Sequence, residues 1–294
     1  MQLNNIYIIS WFGNNPEIRA KRIEIHNRQL AWVEKQKLTP IILAQHYEDN
    51  EYQPGLKYIR IEKNQPLLLP AAARNVLLKQ FYTSEDDMAL FADNDTRFYS
   101  GPQHGDSANF VEIMRAIDAD DFLNIDLVQF TNPARTPFKK TLANSIFRTD
   151  LVFRRAYTVY GPIFLIKNLK KHHYKELYFS DTNFQTAEGK IINGEEIDFG
   201  VKFLMNGLKC YSTMNVIYDE MGRTKSTWTA TNAARSNATA WEIINRTWNL
   251  KFRPNNRFDW TTIPNHKEID KIITIPKVQE RDNAILTDLF DFAK

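Results

Sequence analysis

A chain of 294 residues that is 43% hydrophobic and 13% aromatic can bury a sizeable core as one large domain or two intimate halves. One cysteine, Cys210, excludes an intramolecular disulfide and makes a reducing cytoplasm the expected setting. The first residues, MQLNNIYIISWFG, lack the basic start and long apolar stretch of a signal peptide, and no run approaches the ~18 apolar residues of a membrane span, so a soluble protein is expected.

IYIISWF (6–12) is a short apolar run rich in β-branched and aromatic residues, which predicts a central strand ending at Gly13. A helix follows, with Asn15 as N-cap, Pro16 at its first position, and Ile18, Ile25 and Trp32 on one stripe supported by Leu30 and Val33. TPIILAQHY (39–47) and KYIRIEK (57–63) are the next strands, separated by the Pro54–Gly55 turn. Pro70 opens a second helix over 70–85, a polar loop follows, and MALFA (88–92) reads as another buried strand. Further strands are predicted at 126–130, 145–153, 161–166 and 210–218, with helices at 195–208, 237–250 and 284–294. The early alternation implies an open α/β sheet with right-handed crossovers, in which ligands sit at the carboxyl ends of the strands. No repeat, low-complexity tract or linker divides the chain.

At that carboxyl end stands LFADNDTRFY (90–99). A strand buries alternate side chains, and an uncompensated buried polar group costs about 2–7 kcal/mol, so Asp93 and Asp95 need a partner. Two carboxylates one residue apart can share a hard cation such as Mg²⁺ or Mn²⁺, which also takes phosphate oxygens; a turn or helix cap is the plain alternative. The six histidines show no metal-ligand spacing, and there is no P-loop, G-x-G-x-x-G, G-x-S-x-G or C-x-x-C.

AAARNVLLKQF followed by LFADNDTRF resembles the donor half of GT-A glycosyltransferases, a likeness extending over about residues 5 to 226. It implies an α/β, Rossmann-like, mixed and mainly parallel sheet flanked by helices, with a helical C-terminal extension. The expected organisation is one domain, with residues 1–100 as nucleotide-sugar half, 101–230 as acceptor half and 231–294 as extension. The resemblance also implies that Arg74 and Asn75 contact the donor nucleotide and that Ser10, Trp11 and Phe12 lie beside its base. Asp93 and Asp95 would hold the divalent ion, Mn²⁺ or Mg²⁺, that bridges the diphosphate, with Asn94 between them in the cofactor site. NGEEIDFGVKFLMNGLKCY resembles the acidic segment of inverting members, whose acid deprotonates the acceptor hydroxyl. Glu196 takes that place, but a Glu stands where the family has Asp, and the base stays open among Glu195, Glu196 and Asp198; acids suiting the helix dipole are the bland reading. In NVIYDEMGRTKSTW, where the family often has a late His ligand, Asp219 could bind the metal and Arg223, Lys225 and Ser226 could face phosphate oxygens, or the segment is a simple hairpin.

The net charge is only +3, yet Val128–Lys175 holds ten Lys or Arg against Asp150 alone, and Arg223–Arg257 holds seven against Glu242 alone. Such runs are solvated faces or the footprint of a polyanion. The N-terminal stretch IYIISWFGNNPEIRAKRIEIHNRQLAWVEKQ also resembles, more loosely, the tailed-phage glycosyltransferases that modify hydroxymethylcytosine. That resemblance implies an inverting, metal-dependent transferase acting in host cytoplasm, moving a hexose or pentose from a nucleotide sugar to modified cytosine. Double-stranded DNA would then be bound through segments 135–175 and 223–257. The alternatives are a transferase for cell-envelope polysaccharide and a non-catalytic DNA-binding protein on a degenerate GT-A fold.

Overall fold

The computed structural model describes residues 3–98, 126–131, 151–155, 163–167, 177–180, 194–220, 236–249, 252–253, 257–258 and 272–275. Strand β1 (Asn5–Trp11) leads into helix α1 (Pro16–Lys35), β2 (Thr39–Gln45), a 3-10 turn at Asp49–Glu51, and β3 (Lys57–Ile61). Helix α2 (Pro70–Thr83), β4 (Met88–Asp93) and β5 (Thr96–Phe98) follow. Then come β6 (Leu127–Thr131), β7 (Leu151–Arg155), β8 (Ile163–Lys167), α3 (Glu195–Met205), β9 (Cys210–Glu220) and α4 (Ser236–Trp248). Three short strands, β10 (Phe252–Arg253), β11 (Arg257–Phe258) and β12 (Ile272–Ile275), complete the described chain.

Local chemistry sets the ends of these elements. The Asn15 side chain accepts from the amides of Glu17 (3.0 Å) and Ile18 (3.2 Å), and Pro16 holds the first helical position, a cap worth about 1 kcal/mol. Gly207, at φ +73°, closes α3 by letting its own amide reach the Leu204 carbonyl (2.9 Å) and that of Leu208 reach Phe203 (2.9 Å).

The sheet order is β12-β7-β9-β6-β8-β4-β1-β2-β3, with β5 paired to β9. β3, β2, β1 and β4 are mutually parallel, β8 is antiparallel to both β4 and β6, and β9 is parallel to β6. Along β3-β2-β1-β4-β8-β6-β9, therefore, only β8 runs against the rest, and the mixed, mainly parallel sheet is as expected. The period of two divides its side chains between two cores. Ile6, Ile8, Met88, Leu90 and Ala92 pack with Trp32 and Val33 of α1, while Tyr7, Ala89 and Phe91 pack with α2 and with Phe199, Val201 and Phe203 of α3. Because β1 and β4 are parallel neighbours, their carboxyl ends at Trp11 and Asp93 lie on one edge of the sheet.

Several boundaries differ from the sequence reading. β7 begins at Leu151, and 145–150 lie outside the described residues. β9 runs to Glu220, two residues past its expected end, and β5 pairs with that end, Arg97 opposite Asp219, while 221–228 of the expected hairpin segment lie outside the described residues. The extension adds strands to its helix, and β12 pairs with β7 at the sheet edge; at four residues, IITI is too short for periodicity to declare. The helix expected at 284–294 lies outside the described residues. Lys167 was counted with the basic surface, yet it is the last residue of β8 and is buried, since every position of that central strand is covered. No helix among the described residues is long and apolar enough to cross a membrane.

Candidate active site

The D-x-D turn is built from both sides of the sheet. Asp93 continues the register of Ala89 and Phe91 toward the α2 and α3 layer, and Asn94 points toward α1. On the α1 side, Asn94 is buried and donates to the Ser10 hydroxyl (3.0 Å), which also accepts from Tyr47 (2.5 Å). The Gln29 amide nitrogen donates to the carbonyls of Asp93 (2.6 Å) and Thr96 (2.6 Å), and the Thr96 hydroxyl donates to Asp93 O (2.9 Å). Those two bonds fix the Gln29 amide, so its Oε1 must accept from His26 Nδ1 at 3.3 Å, which assigns the imidazole proton to Nδ1. Burial pushes the His26 pKa down to about 4, against opposing help from Gln29 and the Asn94 backbone, so the ring is neutral at pH 7.

On the other side the contacts are ionic. Arg74, only 5% exposed, rises from the first turns of α2 and lies over the Phe179 ring at 5.4 Å. Its Nη1 donates to Glu195 Oε1 (3.0 Å), and its Nη2 reaches Glu196 Oε1 (2.7 Å) and Asp93 Oδ1 (3.6 Å). Burial opposes the guanidinium charge, but Glu196, Asp93 and Glu195 more than reverse that effect and hold the pKa above its ordinary value. Tyr7, Ile9, Leu77, Phe91, Ala92 and Phe164 form the packed apolar ground around Arg74 and Asp93. Asp93, Glu195 and Glu196, called from segments a hundred residues apart, are thus gathered around one buried arginine.

Other called residues sit differently. Asn75 faces away from the acids: its amide donates to Phe179 O (2.9 Å) and accepts from Phe179 N (2.7 Å), clasping the strip 177–180 against α2. That strip is also held by Tyr82, which donates to Leu177 O (2.8 Å), and by Lys202, which donates to Tyr178 O (2.6 Å). Asp198 is 1% exposed, and its oxygens accept from Ser180 (2.6 Å) and Trp248 Nε1 (2.7 Å), with Lys202 at 3.5 Å. It ties α3 to α4 and to the strip, and one helical step separates it from the acids at Arg74. Ser10 and Phe12 are fully buried, Phe12 stacked on Tyr47 at 4.4 Å, so their side chains shape the strand end from inside. Trp11 is half-buried, and its carbonyl accepts from Arg22 (3.1 Å). Asp219 is placed by its backbone alone, opposite Arg97, while Arg223 and Lys225 lie outside the described residues.

Three residues that sequence reasoning passed over belong to this site. Arg22, His26 and Gln29 recur at i, i+4 and i+7 on the buried stripe of Ile18, Ile25 and Trp32, and polar residues on an apolar stripe were the available signal. Burial lowers the Arg22 pKa, and Asp95 and Asp93, in that order, work against that, which sets its guanidinium beside the turn opposite Arg74.

The donor chemistry of the turn suits a hard divalent cation. Asp93 keeps 35% of its side chain exposed and Asp95 is half-buried, both offering carboxylate oxygens. Among the described residues no three His, Cys, Asp or Glu come together as a metal-binding group.

No protein-family model and no curated protein matches the chain. Among solved structures, GalNAc-T7 with UDP, GalNAc and Mn²⁺ superposes at TM-score 0.53 and 13% identity, over 84% of this chain and 49% of its own. The chain therefore spans about half the length of that protein. The galactosyltransferase LgtC, in complex with donor and acceptor sugar analogs, gives TM-score 0.32 and 14% identity over 58% of this chain and 59% of its own. The inositol-1-phosphate CTP transferase from T. maritima gives 0.40 and 11% over 84% and 96%. The GalNAc-T7 likeness shows the fold of this chain, a GT-A fold with a mixed, mainly parallel sheet flanked by helices.

Proposed function

We propose that the protein is a glycosyltransferase that takes its sugar from a nucleotide sugar. The observation that supports this most is the gathering of Asp93, Glu195 and Glu196 on Arg74 at the carboxyl ends of β1 and β4. That is where an open α/β sheet receives its ligand. The solved GT-A neighbour with UDP and Mn²⁺ bound fits the same reading. Asp93 and Asp95 would hold a divalent cation there, Mn²⁺ or Mg²⁺, whose chemistry is to neutralise charge on the leaving diphosphate. Asp219 is proposed as a further ligand, and Trp11, Arg223 and Lys225 as donor contacts.

Glu196 is the base in this proposal. Both oxygens of Glu195 are engaged, Oε1 by Arg74 (3.0 Å) and Oε2 by the Gly194 amide (3.1 Å), and Asp198 is enclosed; the Glu196 side chain keeps 23% of its surface open. Glu196 takes the proton of an acceptor hydroxyl as its oxygen bonds to the anomeric carbon and the bond from that carbon to the diphosphate breaks, with inversion. For the acceptor we retain modified cytosine in duplex DNA, supported by the basic composition of 135–175 and 223–257, less the buried Lys167. A cell-envelope polysaccharide is the competing acceptor.

A panel of nucleotide sugars with Mn²⁺ tests the activity. Release of nucleoside diphosphate by slow hydrolysis is expected, and it should vanish in Asp95→Ala with the fold intact. Release that Asp95→Ala leaves unchanged, or no release with any donor, sinks the proposal. A mobility shift with plain and modified duplexes tests the acceptor: binding should weaken steeply with salt, and salt-insensitive binding would count against DNA.

A further inference from the structure

We infer that Arg74 is the positioning residue of the base, coupling it to the donor-holding turn, and is not a donor-binding residue. The inference rests on the reading of Glu196 and Asp93 given above, and it replaces the nucleotide contact that the family resemblance implied for this arginine. The guanidinium is enclosed, with the Phe179 ring at 5.4 Å. Nη1 is committed to Glu195 (3.0 Å), while Nη2 is shared unequally, 2.7 Å to Glu196 and 3.6 Å to Asp93. A planar fork with fixed donor directions can hold two carboxylates in a set geometry, whereas a lysine ammonium is a point charge that cannot.

The support beneath Arg74 points the same way. Asn75, the next residue, pins the backbone of Phe179 from both its amide atoms, and Phe179 is stacked on Phe199 of α3 at 4.0 Å. Arg74, the floor it lies on, and the helix that carries Glu195 and Glu196 are therefore one packed unit. Asp93 is the loosest member and the most exposed, at 35% of its side chain. Arg74 thus holds Glu196 at 2.7 Å while its weaker tie, 3.6 Å, goes to the turn, so charge compensation links the two halves of the site; a cation held by Asp93 and Asp95 would supply part of that compensation and leave Nη2 to Glu196.

A positioning role separates binding from turnover, and the test reads both. Arg74→Lys should leave affinity for UDP with Mn²⁺ within about three-fold of wild type, and lower turnover in donor hydrolysis by about a hundred-fold, within the range of one general base. Glu196→Gln should fall by a similar factor, and the double variant should be no slower than Glu196→Gln, because Arg74 acts through Glu196. Should Arg74→Lys fail to fold by its melting curve, Glu195→Gln, which weakens the hold on Nη1, should lower turnover about five-fold with UDP affinity unchanged. A drop of ten-fold or more in UDP affinity in Arg74→Lys, or multiplying effects in the double variant, overturns the inference while leaving the functional reading intact. Absence of turnover by the wild-type chain with every donor overturns the functional reading and this role together.

Discussion

The two faces of the D-x-D turn are held by different chemistry. Toward α1 the turn's backbone is held by neutral side chains, Gln29, His26, Ser10, Tyr47 and Thr96, in a buried network, with the Arg22 guanidinium near the Asp95 and Asp93 carboxylates. Toward α2 and α3 one buried guanidinium faces three carboxylates, an excess of negative charge that reaches solvent mainly through Asp93 and Glu196. Neutral hydrogen-bonding groups fix a backbone at low electrostatic cost. A buried cation outnumbered by acids leaves a site that a further positive charge improves.

Breaking either face should give a different signature. The largest loss of stability is expected for Arg74→Met, which leaves buried carboxylates uncompensated at about 3–5 kcal/mol in urea unfolding; adding Glu195→Gln should recover part of it. Next comes acid. The unfolded chain protonates His26 near 6.5, but the folded ring resists until about 4, so its contribution is complete above pH 6.5 and is lost as the pH falls toward 4. That loss amounts to about 3 kcal/mol, and unfolding midpoints against pH should show the slope flatten in His26→Asn. Gln29→Leu strands the Thr96 carbonyl and leaves that of Asp93 only the Thr96 hydroxyl, and should cost about 2 kcal/mol, with no change in pH slope below pH 4. The smallest effect on stability is expected for Glu196→Gln, under about 1 kcal/mol because the group is partly exposed, although its turnover should fall about a hundred-fold. If the neutral-face variants abolished turnover with stability intact, the division of labour proposed here would be wrong.

The faces also differed in how far they could be read beforehand. The charged face was legible as separate words: Arg74, Asp93 and the Glu195–Glu196 pair each stood out, because charged residues at the ends of apolar runs demand an explanation. Their meeting was not legible, since α2 and α3 are 121 positions apart along the chain where Arg74 and Glu195 touch. Ser10 and Phe12, expected beside the donor's base, have interior side chains, because the same alternation that makes β1 a strand turns Ser10 to the α1 core. Asn75 and Asp198 carry the right residue types for a site but are used as a clasp and a tie, a choice that packing alone makes.

Sequence by itself determined the elements of the first half and their order. Asn15 and Pro16 start α1, Pro70 starts α2, and the runs at 6–12, 39–47, 57–63 and 88–92 supply the four parallel strands, because capping and periodicity are properties of a few consecutive residues. Tertiary structure decided which acids share the Arg74 guanidinium, which are sealed away, and that the end of β9 pairs with β5. Those outcomes depend on burial and on partners far along the chain, and a carboxylate's role follows from what surrounds it more than from its neighbours in sequence.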